Sequence, residues 1–480
     1  MTEHYPLMVP GANEHGAPLN VHAPFDRSVI ATVDTATEAV IETALATAYA
    51  LFRDRDRWLP AAKRIEVLAR AASLVEQRAE LLALEAAREG GKPLIDSRVE
   101  IARAVDGLRS CVECIRTQHG FEVPMGLNAA SSQRWAFTTH EPIGVVLAYS
   151  AFNHPFNLIV HQAGPAIAAG CPVIVKPAQA TPLSCYRLVS ILREAGLPPE
   201  WCQALVIDRR EWNVAMAADR RVGFLSFIGS GPVGWMLRSK LAPGARCSLE
   251  HGGVAPVVVA ADADLNLAVP LLTKGGFYHA GQVCVSVQRI FAEKPVAREL
   301  ARRIAAAAEK LRVGDPTSAE TEVGPMIRPS EVERVDQWVR EAIGGGAEAL
   351  CGARPLSATC YAPTVLFNPP AESRVMTHEV FGPVVCVAEV DSVDAAIAAA
   401  NRLNCPFQAA VFSRNIDTAL RVARRIDAAT VMINDHTAFR VDWMPFAGLR
   451  EAGLGVGGIP YTFDEMQVKK QVVFRSPALG

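Results

Sequence analysis

Cys284 stands in "FYHAGQVCVSVQRIF", residues 277–291, between a Gly-Gln turn and a β-branched run. A thiol in that setting has two readings. It is a small buried hydrophobe, the commoner fate of a free cysteine, or a nucleophile acting through its thiolate. Glu250 stands in "CSLEHGGVAPVVVA", after an apolar strand end and before two glycines and another buried strand. Apolar surroundings raise a carboxylate's pKa, which suits a general base; the alternative is a structural carboxylate satisfied by its neighbours. Gly229, Gly231 and Gly234 in "FLSFIGSGPVGWMLRSKL" keep the spacing G-x-G-x-x-G, after a strand and before a helix. Glycines there let the backbone approach a pyrophosphate, whose charge a helix N-terminus favours. The simple dinucleotide-binding reading would put Glu250 on the adenosine ribose, about 20 positions on. The unit opens only at residue 222, after at least three strand-helix pairs, so a plain strand-helix turn is equally compatible. Cys111 and Cys114 form a CxxC inside a helical stretch with no second pair for a zinc ribbon, which favours helix packing over redox or metal work. No metal site is expected.

The elements that must position these groups follow from composition and periodicity. A chain of 480 residues, 50% hydrophobic and 20% charged, is ordinary globular protein with room for two or three domains. A net charge of −2 without a lysine-arginine tract gives no field that favours nucleic acid. The start, "MTEHYPLMVPGANEHG", has no basic segment leading into an apolar core, so no signal peptide is expected. No run reaches the roughly 18–20 apolar residues that span a bilayer. A cytoplasmic enzyme is expected, its eleven cysteines mostly reduced and buried. Residues 36–120 read as helices; Ile65, Leu68, Ala72, Val75, Ala79 and Leu82 mark one apolar face, and Gly90, Gly91 and Pro93 stop that helix. From about 137 the period changes. "GVVLAY", "CPVIVK", "QALVI" and "VGFLSFI" are short apolar runs separated by amphipathic segments such as 155–169 and 182–195. The alternation resumes with "APVVVA", a helix over roughly 264–280, the strand "SVQRIF", a helix over 296–312, and further pairs to "TVMIN". Alternating strands and helices predict parallel sheets covered on both faces, in two α/β units that divide near residue 250. "EMQVKKQVVF" (465–474) alternates like a lone strand, and a partner subunit is one candidate for its pairing.

Six separated stretches together resemble the aldehyde dehydrogenase superfamily. They are Phe152-Asn153-His154-Pro155, Lys176-Pro177-Ala178-Gln179, Glu250-His251-Gly252-Gly253, Gly281-Gln282-Val283-Cys284, Glu379-Val380-Phe381-Gly382-Pro383 and Pro445-Phe446-Ala447-Gly448, with Leu454-Gly455 beyond. Each match is weak alone; the ordered set is specific and spans nearly the whole chain. The resemblance implies an aldehyde dehydrogenase-like α/β fold, with two Rossmann-like α/β domains and a small β oligomerisation extension. The NAD(P)-binding domain would comprise 1–122 and 142–249, the catalytic domain 250–440, and the oligomerisation strands 123–141 and 461–480. It implies Cys284 as nucleophile, adding to the aldehyde carbonyl to give a thiohemiacetal whose oxyanion expels hydride toward a nicotinamide. Asn153 and the Cys284 backbone N–H would hold that oxyanion. Glu250 would activate water to hydrolyse the thioester, and so is not the ribose acid. Lys176 and Gln179 are implied for the adenosine ribose, Gly229 and Ser230 for the pyrophosphate, Glu379 for the nicotinamide ribose, and Phe381 beside the nicotinamide.

Departures from the pattern carry their own expectations. Gln179 replaces a glutamate that would repel a 2′-phosphate, so the cofactor is NAD or NADP, with NAD favoured. His251, Val254 and Ala447 also depart, without a functional account. Within the superfamily the chain resembles a lactaldehyde and phosphonoacetaldehyde dehydrogenase-like group through "FRVDWMPFAGL" (439–449). In its members that take anionic aldehydes, an arginine at the Arg103 position and a histidine at the His154 position help bind the anion. The alternatives are an ion pair for Arg103, facing solvent or between subunits, and a loop hydrogen bond for His154. Arg440 is a further candidate, or a brace for its loop. Val283 stands where those members often carry another arginine, so a dianion would be desolvated with too few partners. The expected substrate is a small polar or singly charged aldehyde, oxidised to its acid. A coenzyme A-acylating enzyme and a catalytically silent family member are the alternatives. A homodimer or homotetramer is expected, with neither nucleic acid nor membrane as partner.

Overall fold

The computed structural model describes residues 3–479; residues 1, 2 and 480, the outermost ends of the expected terminal segments, lie outside the described residues. Two sheets dominate. The first has six strands in the order Gly453–Leu454, Arg246–Glu250, Val222–Ile228, Val145–Tyr149, Val173–Lys176 and Cys202–Ala204. The second has seven, in the order Glu348–Cys351, Thr364–Phe367, Val384–Val390, Arg289–Glu293, Pro256–Val259, Gln408–Phe412 and Thr430–Ile433. Each is parallel apart from one antiparallel edge strand, Gly453–Leu454 in the first and Glu348–Cys351 in the second.

Burial on both faces explains why the parallel strands read as unbroken apolar runs. Along Val145–Tyr149, Val146 and Ala148 enter one core with the helices Ala61–Gln77, Leu94–Thr117, Asn157–Ala169 and Leu183–Glu194. Val145, Leu147 and Tyr149 enter the core on the other face, with Glu38–Arg53. This is the two-residue period of a strand feeding two layers. The second sheet packs around its own cluster, which includes Val257, Ile290, Val385 and Val411.

Several expectations need correction. The apolar stripe from Ile65 to Leu82 runs across two helices, Ala61–Gln77 and Ala79–Gly90, because the backbone leaves helical geometry at Arg78. The stripe continues through that break, so periodicity alone does not reveal it. Gly91 ends the second helix in a left-handed conformation, as expected. The segment 155–169 is not amphipathic: every residue of Asn157–Ala169 is buried. Its outer side is covered by Leu94–Thr117 and by a late helix, Ile459–Glu465, whose Ile459 and Phe463 join the first core. The strand expected at "SVQRIF" begins only at Arg289, because Ser286 and Val287 donate their N–H groups to Val283 and Gly275 instead of to a ladder.

The late strand extends over Gln467–Arg475 and pairs antiparallel with Arg134–Pro142 of the same chain. It forms the edge of a three-stranded sheet whose other edge is Glu122–Val123. Among the described residues no helix is long and apolar enough to cross a membrane.

Candidate active site

The carboxyl edge of the six-stranded sheet supplies half of one cleft. Val145–Tyr149 runs into the loop carrying Phe152, Asn153 and His154; Val173–Lys176 ends on Lys176; Val222–Ile228 runs into Gly229 and Ser230; Arg246–Glu250 ends on Glu250. Open α/β sheets bind ligands at this edge. The seven-stranded sheet contributes from its amino end. Cys284 precedes Arg289–Glu293, and Glu379–Pro383 precede Val384–Val390. One cleft of about 1770 Å³ is bordered by every residue given a catalytic, cofactor or substrate role above, from Arg103 to Arg440, but not by Gly231 or Gly234 of the glycine turn.

The loop before Cys284 is held in an unusual backbone. His279, Ala280 and Gly281 all have left-handed φ, of 47°, 54° and 69°, a conformation that persists only where surroundings enforce it. Gln282, fully buried, enforces it: its amide accepts from Ile327 N at 2.9 Å and donates to the Pro325 carbonyl at 3.1 Å. Gly281 has no alternative, because a Cβ there would overlap the Gly382 carbonyl. Cys284 is thereby set, partly buried, among Val283, Val285, Phe407 and Phe446. The Asn153 amide donates to the Gln282 carbonyl at 3.0 Å, which leaves its second hydrogen for another acceptor.

Burial pushes the Cys284 thiol up to about 12; the Glu379 carboxylate adds to this, Arg440 opposes it, and Glu250 adds again. Burial likewise raises the Glu250 carboxyl above the ordinary carboxylate value, against the pull of Arg440. The Glu250 carboxylate rests against Gly457, where a Cβ would collide with it.

At the other end, burial lowers the Lys176 ammonium to about 8, and its nitrogen lies 5.5 Å from the centroid of the Tyr149 ring. The Gln179 amide donates to the Ile207 carbonyl at 2.8 Å. Burial pushes Glu379 up to about 8, with Arg334 opposing, and its Oε1 is buried without a hydrogen-bond partner. Phe381, at φ 46°, meets Phe152 edge to face at 5.9 Å. Its loop is braced by Gln288, which accepts from Val380 N at 2.9 Å, and by Arg334, which donates to the Val380 carbonyl at 2.7 Å. An orphaned acceptor at Glu379 and a glycine-floored turn at Gly229 suit a ribose hydroxyl and a pyrophosphate, so these residues fit a dinucleotide.

His251 acquires an account that its sequence position does not offer. Its Nδ1 lies 2.9 Å from the Gly229 carbonyl, and its ring packs edge-on between Phe227 and Trp235. The ring fills the space beneath Gly234, where a Cβ would clash with it. The third glycine of the turn therefore serves helix packing over an imidazole. Val254 is buried and its carbonyl accepts from Arg289 Nε at 3.0 Å. Nothing in the structure explains Ala447.

The substrate candidates divide. Arg103 borders the cleft, but its guanidinium is committed to Asp442, with Nε–Oδ2 3.2 Å and NH2–Oδ1 2.6 Å. This ion pair lies inside one chain with a buried carboxylate, so it is neither of the alternatives given for Arg103, a pair facing solvent or one between subunits. His154 takes its loop alternative: its Nε2 lies 3.1 Å from the Tyr278 hydroxyl, and burial holds the imidazole neutral, well below its ordinary pKa. Among the described residues Arg440 makes no ion pair with a carboxylate; its hydrogen-bonding contact is His161, and Glu250 and Asp442 act on it at longer range. Its guanidinium lies 3.6 Å from the centroid of the Phe446 ring, and its Nε is buried without an acceptor. Sequence reasoning missed His161, Asn157 and Asp442, which meet around that arginine. A signal existed: His154, Asn157, Leu158 and His161 keep the spacing of one helix face, and Asp442 follows Arg440 by two positions.

Residues 12–472 match the aldehyde dehydrogenase family. The chain is 39% identical to 3-sulfolactaldehyde dehydrogenase of Priestia aryabhattai, over 86% of each chain. It is 36% identical to aspartate-semialdehyde dehydrogenase 1 of Pseudomonas canavaninivorans, over 95% of this chain and 96% of that one. Among solved structures it resembles aldehyde dehydrogenase 21 of Physcomitrella patens in complex with the reaction product succinate, with TM-score 0.94 and 31% identity over 99% of each chain. It resembles an NAD-dependent aldehyde dehydrogenase of Sinorhizobium meliloti, with TM-score 0.93 and 30% identity over 99% of this chain and 95% of that one. It also resembles glyceraldehyde-3-phosphate dehydrogenase of Methanocaldococcus jannaschii complexed with NADP, with TM-score 0.91 and 30% identity over 97% and 100%.

Proposed function

The chain belongs to the aldehyde dehydrogenase family, and from that premise we propose that it oxidises a small, singly charged anionic aldehyde to its carboxylic acid by a hydrolytic route. The observation that carries the substrate class is Arg440, a desolvated cation at the cleft that makes no ion pair among the described residues, Glu250 and Asp442 acting on it only at longer range. A buried guanidinium lacking an anionic partner favours a ligand that brings one. Val283, buried beside the thiol, adds no second charge for a dianion. A relative named for a sulfonated aldehyde supports the same class, and one named for aspartate semialdehyde supports only a carboxylate on the substrate, since that aldehyde also carries an ammonium; a cationic aldehyde would meet Arg440 as a like charge.

The cleft's own residues divide the work. Hydroxide takes the Cys284 proton to give the thiolate. The thiolate adds to the aldehyde carbon, and the free amide hydrogen of Asn153 with the Cys284 N–H receives the oxyanion. A nicotinamide cofactor, when bound by Lys176, Gln179, Gly229, Ser230, Glu379 and Phe381, supplies the acceptor for the hydride. The thioester left on Cys284 is then attacked by water whose proton Glu250 accepts; the C–S bond breaks and the thiolate returns. Retention of Glu250 argues against a coenzyme A-acylating enzyme, and retention of Cys284 argues against a silent one. Reduced cofactor formation at 340 nm, with matched neutral, anionic and cationic aldehydes and no coenzyme A, tests the reading. The anionic aldehyde should lead in kcat/KM by at least about tenfold; a lead for the cationic aldehyde, or a requirement for coenzyme A, overturns it.

Cofactor choice turns on Gln179. NAD is the preferred cofactor in this reading, with NADP tolerated because the neutral amide does not repel a 2′-phosphate. Gln179→Glu should lower the NADP:NAD ratio of kcat/KM by roughly tenfold. Glutamate also loses the donation to Ile207, so both cofactors weaken somewhat; an unaltered ratio removes position 179 as selector. The eleven free cysteines suit a reducing cytoplasm. The two α/β units suit the domain division given above. The unpaired edge of Gln467–Arg475, with Val473 and Phe474 exposed, suits a homodimer or homotetramer built on the strands within 123–141 and 461–480, although 461–465 belong to a helix of the first core rather than to a strand.

A further inference from the structure

We propose that His161 is a positioning residue, which with Asp442 and Arg103 holds the Arg440 guanidinium charged and aimed into the cleft. This rests on the reading of Arg440 as the anion anchor. The four side chains form one line of contacts. Arg440 NH2 lies 3.3 Å from His161 Nδ1, and His161 Nε2 lies 2.6 Å from Asp442 Oδ1. Asp442 also accepts from Asn157 Nδ2 at 3.2 Å and from both arms of Arg103. His161, Asn157 and Asp442 are each no more than 3% exposed.

The donors and acceptors allow one assignment. A guanidinium only donates, so Nδ1 of His161 must present its lone pair, and the ring proton sits on Nε2, donating to Asp442. The imidazole must therefore stay neutral, since a proton on Nδ1 would face Arg440. Its surroundings agree: burial, reinforced by Arg440, lowers His161 to about 4, with Asp442 opposing. Burial works against ionisation of Asp442 as well, but the His161 hydrogen bond and the Arg103 charge more than offset it, leaving the carboxyl well below the carboxylate range.

Arg103 then has a purpose other than touching substrate. Asp442 stands two residues from Arg440 and is its nearest potential counter-ion along the chain. If the two paired, Arg440 would be neutralised and its attraction for an anionic substrate lost. Arg103 occupies Asp442 with two hydrogen bonds, and His161 comes between carboxylate and guanidinium. Arg440 keeps one neutral partner and a stacking face on Phe446. Its Nε remains unpartnered. A glutamine at 161 has one acceptor and one donor in comparable positions; a leucine has neither.

The test uses the full-length enzyme with a saturating nicotinamide cofactor and two four-carbon aldehydes, one bearing a carboxylate and one its uncharged amide. Arg440→Gln should raise the carboxylate:amide ratio of KM by at least about tenfold. His161→Leu should raise that ratio by about tenfold, and His161→Gln should recover most of the loss. In the Arg440→Gln background His161→Leu should leave the ratio where it stands, since both act through one guanidinium. If Arg440→Gln leaves the ratio unaltered, the substrate-class reading fails. If Arg440→Gln changes it and neither His161 variant does, this inference alone fails. Should His161→Leu not fold, His161→Gln and Arg103→Leu decide: Arg103→Leu must raise the ratio in wild type but not beside Asp442→Asn. An equal rise in both backgrounds makes Arg103 itself the anchor and overturns the relay.

Discussion

Replacing Cys284 by alanine is expected to abolish aldehyde oxidation, with kcat falling at least about ten-thousand-fold, while the dissociation constant for reduced cofactor shifts by less than about twofold. The asymmetry follows from where the groups sit. Lys176, Gly229 and Ser230 belong to the carboxyl edge of the six-stranded sheet, whereas Cys284 hangs on a loop fixed by Gln282 and Gly281. Removing one sulfur leaves that loop's bracing intact. The thiol is also poorly ionised at rest, because burial and the carboxylates of Glu379 and Glu250 push it up to about 12 against Arg440. Alkylation of the free enzyme by iodoacetamide should therefore be slow at neutral pH and rise about tenfold per pH unit up to pH 9 or so. A plateau below about pH 8 would mean a thiolate preformed by some other device. Turnover above about one per cent in Cys284→Ala would remove Cys284 from the mechanism.

The parallel sheets and the groups at their ends were readable from the sequence because both depend on local order. A strand buried on two faces is a continuous apolar run, as in "VGFLSFI" and "APVVVA". The residue after such a run sits at the sheet's binding edge, as Lys176, Gly229 and Glu250 do. What escaped depends on contacts between distant segments. Arg103 finds its carboxylate 339 positions away, at Asp442, so no spacing rule distinguishes a substrate anchor from an internal ion pair. The helix Asn157–Ala169 resembles an amphipathic surface element until Ile459–Glu465, from the far end of the chain, covers its outer face. His251 is a departure from a motif in one dimension and a wedge beneath the Gly229 turn in three. The break at Arg78 leaves the apolar stripe unbroken and is silent for that reason.

Glu250→Gln separates hydride transfer from hydrolysis. In the variant a single turnover should still release about one reduced cofactor per site, as a burst, followed by steady turnover slowed about a hundredfold to a thousandfold. The argument starts from the carboxylate's freedom: it rests on Gly457, where no side chain competes with it, and Arg440 acts on it at longer range. Such a group is free to take a proton from water approaching the Cys284 thioester, which an amide cannot do. Burial raises its pKa, and the sign of the pH dependence follows. As pH falls through that raised value the carboxylate becomes protonated, the water loses its base, and wild-type kcat drops on an acid limb lying above the ordinary carboxylate range. In Glu250→Gln that limb should vanish, leaving a slow rate that rises with hydroxide. Rapid-quench and stopped-flow records of both phases across pH 5 to 9 or so are the measurement. Loss of the burst together with the steady rate would show that Glu250 also removes the thiol proton, and would account for how a thiol held near 12 reacts at neutral pH. An unchanged steady rate would return Glu250 to a structural role and leave the thioester without a base in this cleft.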